Sequence, residues 1–141
     1  MQGAQRGYRG YVFSRAVDNH RVPQHIQNLV IRDYAQRRRL QYLLSATEYA
    51  MNGSYLILEQ VLAELPSIDG VILYSMFMLP ESVAHRGDVY RKVIAVGASL
   101  HAAVEGFVLQ NEMDIERWEN VLRTADICRN LEYHEIERWL T

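Results

Sequence analysis

The residues best suited to chemistry crowd into one stretch, 10–29, GYVFSRAVDNHRVPQHIQNL. A serine with a histidine in reach makes a nucleophile and its base, so Ser14 and His20 come first. Arg15 and Arg21 carry the planar donor fork that grips a phosphate or carboxylate. Asn19, Gln24 and Gln27 add amides, and the two glutamines share one helical face, suited to sugar hydroxyls or helix-end contacts. Farther along, Thr47, Glu48, Ser75 and Glu105 supply hydroxyls and two carboxylates, an acid and a base for a sugar hydroxyl or a carbon-bound proton.

Each group also has a plainer reading. The Ser14 hydroxyl can bond the loop backbone or cap the helix. Arg15 and Arg21 can pair with Asp18 or an acidic tail residue, one of the two glutamates can balance Arg15, and His20 can be an ordinary loop histidine. Within this reading the candidate catalytic groups are Ser14, His20, Glu48 and Glu105. The candidate substrate-binding groups are Arg15, Asn19, Arg21, Gln24, Gln27, Thr47 and Ser75. One cysteine and five scattered histidines give no zinc-type spacing, and no cofactor is implied.

Only a fold can gather groups so far apart in sequence. Tyr8 to Phe13 reads as a strand, and Pro23 opens a helix over 23–38 with Ile26, Leu29, Val30 and Tyr34 as its apolar stripe. Gln41 to Ser45 reads as a second strand, and 47–53 as a loop ending in the Asn52-Gly53 turn. Ser54 is placed to cap a helix that runs to Pro66. Val71 to Tyr74, apolar on both faces, reads as a central parallel strand. The run Ser75-Met76-Phe77-Met78-Leu79-Pro80 reads as an apolar loop that lines a pocket or meets a partner. A helix over 86–97, a strand over 100–104 and an edge strand over 107–109 follow. Then come a helix capped by Asp114 and a last helical segment, 131–140. His101 and Cys128 read as satisfied interior residues, and Trp118 and Trp139 as packing in the tail or a dimer seam.

The alternation predicts a three-layer α/β domain with a mostly parallel sheet of four to five strands, order 2-1-3-4, and a C-terminal helical tail. Its bounds read as a frayed 1–7, a domain over 8–126 and a tail over 127–141 that offers a dimer contact. In such a sheet the strand C-termini share one rim, which would bring the serines, carboxylates and Arg15 to one edge.

Composition narrows the class. There is no run of 18 apolar residues and no signal-like apolar segment, and the single cysteine fits a reducing cytoplasm. Charge is uneven: residues 1–47 carry +6 and residues 48–141 carry −8, for a net −2. The run Arg37-Arg38-Arg39 reads as a solvated helix face whose charge the acidic half balances. The acidic net charge argues against a nucleic-acid surface.

Taken together, the order and spacing over 8–126 resemble the catalytic domain of serine recombinases, the resolvase-like fold. Gly10-Tyr11-Val12 followed by a serine, then Gln24 and Gln27, resembles that family's opening strand, loop and helix start. Glu48 to Leu62, Val71 to Leu79 and Ala98 to Glu105 resemble its later units. Two departures bear on chemistry. Val12 stands where the family has an arginine two residues before its serine, and 75–80 lacks its Asp-Arg-Leu-x-Arg run. Without those guanidiniums a phosphodiester transition state lacks electrostatic support. No helix-turn-helix domain is read after the tail.

A second resemblance, on YVFSR (11–15), NHRVPQHIQN (19–28), LSATEYAM (44–51) and IDGVILYS (68–75), is to sporadic carbohydrate cluster proteins, and implies a polysaccharide-biosynthesis setting. The expectation is then a metal-free enzyme acting on an activated or carboxylated sugar, with a sugar or nucleotide-sugar ligand and a homodimeric, cytoplasmic state. A non-catalytic sugar-binding or scaffold subunit is the second reading. A recombinase-like DNA domain without strand exchange is the third.

Overall fold

A computed structural model describes residues 6–140, with the side chains of Glu132, Tyr133 and Ile136 outside the description. Most of the N-terminal segment read as frayed therefore lies outside the described residues, as do the side chains of Tyr133 and Ile136 in the expected last helix. The elements are β1 (Tyr8–Phe13), α1 (Gln24–Arg37), β2 (Tyr42–Glu48), α2 (Leu56–Ala63), β3 (Gly70–Leu73), α3 (Val83–Ala95), β4 (Ser99–Ala102), β5 (Phe107–Leu109) and α4 (Glu112–Leu140). Short 3-10 turns stand at Leu65–Ser67 and Met76–Met78.

The sheet order is β2-β1-β3-β4-β5, parallel except for β5, which returns antiparallel to β4 after the turn at Gly106. The fold class read from the sequence is therefore the observed one. The central strand β3 is buried along its whole length, as an apolar strand covered on both faces must be. Gly70 opens it because a Cβ there would stand 1.9 Å from the Ser99 carbonyl oxygen of β4.

Two cores flank the sheet. The larger joins Tyr11, Leu73 and Leu100 to Leu58, Val89 and Trp118, the inner faces of α2, α3 and α4. The smaller lies under α1: Val12 and Ile72 against Ile31, Tyr34 and Ala35. The buried face of α1 is Gln27, Ile31, Tyr34 and Ala35, so the stripe expected from Ile26 and Leu29 is rotated; Leu29 is 60% exposed. A polar side chain, Gln27, sets that rotation by tying the helix to β1.

Other boundaries moved for tertiary reasons. β2 runs on through Ala46, Thr47 and Glu48, because Gly10 to Phe13 of β1 supply parallel partners up to Glu48. α2 has no side-chain cap at its own N-terminus. Met76 and Met78 are fully buried, since the 3-10 turn folds both methionines into the main core. Within 75–80 only Phe77 is not buried, and it is half-buried; Met76, Phe77, Leu79 and Pro80 border an open groove, in keeping with the expected pocket lining. α4 is one continuous helix whose start is capped reciprocally: Asn111 Oδ1 takes the Asp114 amide at 3.1 Å, and Asp114 Oδ2 takes the Gln110 amide at 2.9 Å. Trp118 docks edge-on to Tyr90 in the core, Trp139 is 85% exposed, and Cys128 is exposed rather than buried. Among the described residues no helix is long and apolar enough to cross a membrane.

Candidate functional site at the strand C-terminal rim

Parallel β1, β2, β3 and β4 do end at one rim, and the rim groups engage each other in two pairs. Ser14 Oγ donates to the Glu48 carbonyl oxygen at 3.0 Å. The Glu48 carboxylate, nearly inaccessible to water, accepts five hydrogen bonds. Oε1 takes the Tyr11 hydroxyl at 2.7 Å and the Leu58 amide at 3.1 Å. Oε2 takes the Tyr49 and Ile57 amides, each at 3.1 Å, and the Ser54 hydroxyl at 3.2 Å. A strand residue thus caps α2 from outside, satisfying amides that Ser54 was expected to serve; Ser54 instead donates to the same carboxylate. Burial alone would push the Glu48 carboxyl up. The Tyr11 hydroxyl and the three amides outweigh it and hold the group below the ordinary glutamate value. Burial and the same carboxylate push the Tyr11 hydroxyl far up, so it stays a donor.

The β3 and β4 exits form the second pair. Ser75 Oγ donates to Glu105 Oε2 at 2.7 Å, and the Met76 amide donates to Glu105 Oε1 at 2.9 Å. Ser75 Oγ also accepts from the Phe77 amide at 3.2 Å, which closes the 3-10 turn.

The first loop is equally committed. Arg15 lies with its guanidinium 4.0 Å from the centre of the Phe13 ring and 5.1 Å from that of Tyr55, and donates to the carbonyls of Tyr49 and Met51. Gln27, fully buried, pairs with Phe13 as a strand would: its Oε1 accepts from the Phe13 amide and its Nε2 donates to the Phe13 and Val22 carbonyls. Asp18 and Asn19, both with positive φ, form a two-residue turn between Val17 and His20, which exchange both backbone hydrogen bonds. That turn leaves His20 exposed and Ser14 bonded to Glu48. Arg21, Gln24 and Thr47 are exposed as well. The structure brings Ser14 to Glu48 and Ser75 to Glu105; it does not bring His20 to Ser14.

Beside the rim an open groove of about 1670 Å³ runs between the loops and α4. Arg15 and Asn19 are the expected site residues that line it. Along one wall Tyr55 packs edge-on to His85, whose Nε2 lies 3.1 Å from Glu59 Oε1, and Lys92 Nζ reaches the other Glu59 oxygen at 2.9 Å. On the other side Arg86 forks onto Glu119, both bonds 2.8 Å, while the Tyr90 hydroxyl donates to the same carboxylate at 2.6 Å. Hydrogen bonds from Arg86 and Tyr90 outweigh burial and keep Glu119 ionised below its ordinary range. Sequence reasoning missed these groups; only a Ser-x-x-His spacing at 82–85 hinted at them. The groove's cations, Arg15, Arg86, Arg123 and Arg129, face Asp18, Glu59, Glu81, Glu119 and Asp126, so it offers no basic cradle. Among the described residues no cluster of His, Cys, Asp and Glu is placed to hold a metal ion.

No family model and no curated protein matches the sequence. Solved structures do. A resolvase family site-specific recombinase from Streptococcus pneumoniae superposes with a TM-score of 0.59 at 10% identity, over 91% of this chain and 94% of that one. The N-terminal catalytic domain of TP901-1 integrase superposes at 0.54 with 18% identity, over 89% of this chain and 99% of that one. The chain has a resolvase-type fold. Nothing found supports the resemblance to sporadic carbohydrate cluster proteins. The expectation of a carbohydrate-biosynthesis enzyme rested on that resemblance. It is overturned: the structural neighbours of this chain are a resolvase family site-specific recombinase and the catalytic domain of an integrase.

Proposed function

We propose that this chain works in site-specific DNA recombination as a resolvase-type domain that binds and assembles without breaking a strand. One observation carries the second half of that reading. The strand-one serine, Ser14, is bonded to the Glu48 carbonyl, and the guanidinium next to it in sequence, Arg15, is fixed to two carbonyls and two rings. A serine attack on a phosphodiester needs a free hydroxyl and cations aimed at the developing charge. The neighbouring exit at Ser75 supplies a carboxylate, Glu105, which would repel a phosphate. The first half is supported by the fold and by the names of the two structural neighbours.

The test is to incubate the protein with supercoiled plasmid and end-labelled duplexes. The expected result is retention of duplex without nicking and without a covalent serine–DNA adduct. A phosphoseryl linkage at Ser14, found by mass spectrometry, overturns the non-cleaving part; absence of duplex binding at low salt overturns the DNA part.

Self-association through α4 belongs to the same proposal. Beyond Leu122 this helix leaves Ile127, Leu131, Trp139 and Leu140 more than half exposed, an apolar surface of the kind that a second copy covers. Sedimentation is expected to give twice the 16.4 kDa chain mass, and Ile127→Glu with Leu131→Glu to return it to one.

A further inference from the structure

We propose that the C-terminal end of α1 is a docking surface for the phosphate backbone of duplex DNA, formed by Arg32, Arg37, Arg38 and Arg39. The proposal rests on the DNA reading above and goes beyond it by assigning the face. Its starting point is an asymmetry in how the arginines are paired. Arg6, Arg9, Arg86, Arg91 and Arg129 each hold a carboxylate. Within the α1 cluster only Arg37 does, at 2.8 Å from Asp33; Arg15, Arg21, Arg117 and Arg123 pair with no carboxylate among the described residues either, but none of them is adjacent in sequence to another arginine, as Arg37, Arg38 and Arg39 are. No carboxylate among the described residues pairs with Arg32, Arg38 or Arg39, so the acidic half of the chain does not balance this end of the molecule. The helix dipole favours cations at its C-terminus, an effect confined to the last turn and too small to explain four.

The unpaired guanidiniums are also held in place. Arg38 lies 4.7 Å from the centre of the Tyr34 ring and reaches the Gly106 carbonyl at 3.4 Å, and Arg32 stands over Tyr42 at 5.9 Å. Ring contacts restrain the planar fork, which lowers the entropy lost on gripping an oxyanion. Arg39 follows the helix with φ +59°, in the left-handed position that glycine usually takes, and its side chain is exposed. Choice of partner follows from what lies between the arginines. The exposed residues of 36–41 are Gln36, Arg37, Arg38, Arg39 and Gln41, all polar, so the arginine run itself has no interleaved apolar side chain to insert into a lipid surface; the exposed Leu29 stands one helical turn before Arg32. A row of discrete phosphates fits it.

The experiment measures binding of a fluorescent duplex of about 20 base pairs by anisotropy across a salt series, with anionic lipid vesicles in a parallel arm. Wild type is compared with Arg32→Gln/Arg39→Gln, which leaves the Arg38–Tyr34 stack intact, and with Arg91→Gln/Arg123→Gln, charge-matched and on α3 and α4. The ridge variant is expected to bind duplex at least about tenfold more weakly at low salt, and its slope of log K against log salt to fall by about 2. The control is expected to bind within about twofold of wild type. Equal losses in both variants overturn the ridge and leave the DNA reading standing. No duplex binding by wild type overturns both. Ridge-dependent binding to vesicles but not to duplex overturns the choice of DNA. Thermal melting of both variants checks that the fold is intact.

Discussion

The strand C-terminal rim and the far end of α1 are both rich in charge, and they use it in opposite ways. At the rim every carboxylate and the buried guanidinium of Arg15 have partners within the chain: Glu48 caps α2, Glu105 closes a 3-10 turn, Arg15 ties a loop. At the end of α1 only one of four arginines, Arg37, pairs with a carboxylate among the described residues. A buried charge without partners costs several kcal/mol, whereas an exposed one costs little, so the rim must satisfy its ions internally and the ridge need not. Three of the four groups that look most catalytic in the sequence, Ser14, Glu48 and Glu105, are thus engaged in holding the fold, while His20 is exposed.

The strongest way to break this contrast is Glu48→Ala. It would strand the Tyr49, Ile57 and Leu58 amides and the Tyr11 hydroxyl, and is expected to lower unfolding free energy by about 3–5 kcal/mol in urea titration. A loss below about 1 kcal/mol would show that the rim is not the brace described. Acid titration sharpens the same point. Because Glu48 is held below its ordinary value, its stabilisation is intact above the unfolded glutamate range and is lost as pH falls through the lower folded value.

His101 adds a second acid-sensitive element from the core under α1. Its Nδ1 and Nε2 bond the Tyr34 and Ser99 hydroxyls, and burial lowers its pKa to about 4 from 6.5. The unfolded chain then binds the extra proton between those values, so stability is expected to fall by about 3 kcal/mol from pH 6.5 to pH 4. His101→Gln is expected to be less stable at neutral pH but to lack that limb of the profile. Glu105→Gln comes next, at about 1–2 kcal/mol by chemical denaturation, since the amide keeps one acceptor for Met76 and Ser75. The smallest effect belongs to Arg32→Gln/Arg39→Gln, within about 0.5 kcal/mol of wild type by thermal melting, because both side chains are exposed and neither pairs with a carboxylate among the described residues.

Much of the architecture was legible. The apolar run Val71-Ile72-Leu73 marked the central strand, Pro23 the start of α1, and the alternation of elements the parallel sheet. The candidate site was legible as a place and not as a chemistry. Ser14, Glu48, Ser75 and Glu105 do leave strands at one edge, but a sequence cannot show that Glu48 points back at the α2 amides. Asn19 read as a ligand-facing amide and Asp18 as a partner for an arginine; together they are a tight turn, since two positive-φ residues between bridged neighbours are invisible until Val17 and His20 are seen to pair. A net charge of −2 likewise does not show that Arg32, Arg38 and Arg39 pair with no carboxylate among the described residues, since pairing depends on tertiary contacts.

By itself the sequence determined the order of elements, the parallel sheet and the concentration of arginine in the first third, because periodicity and composition are local properties. The tertiary structure alone decided which ions meet. Glu48 finds α2, Glu105 finds Ser75, and Arg38 finds a tyrosine and a carbonyl but no acid. Whether a charged group is a brace or a free surface depends on atoms up to tens of residues away, brought within hydrogen-bond distance only by the crossing of strands and helices.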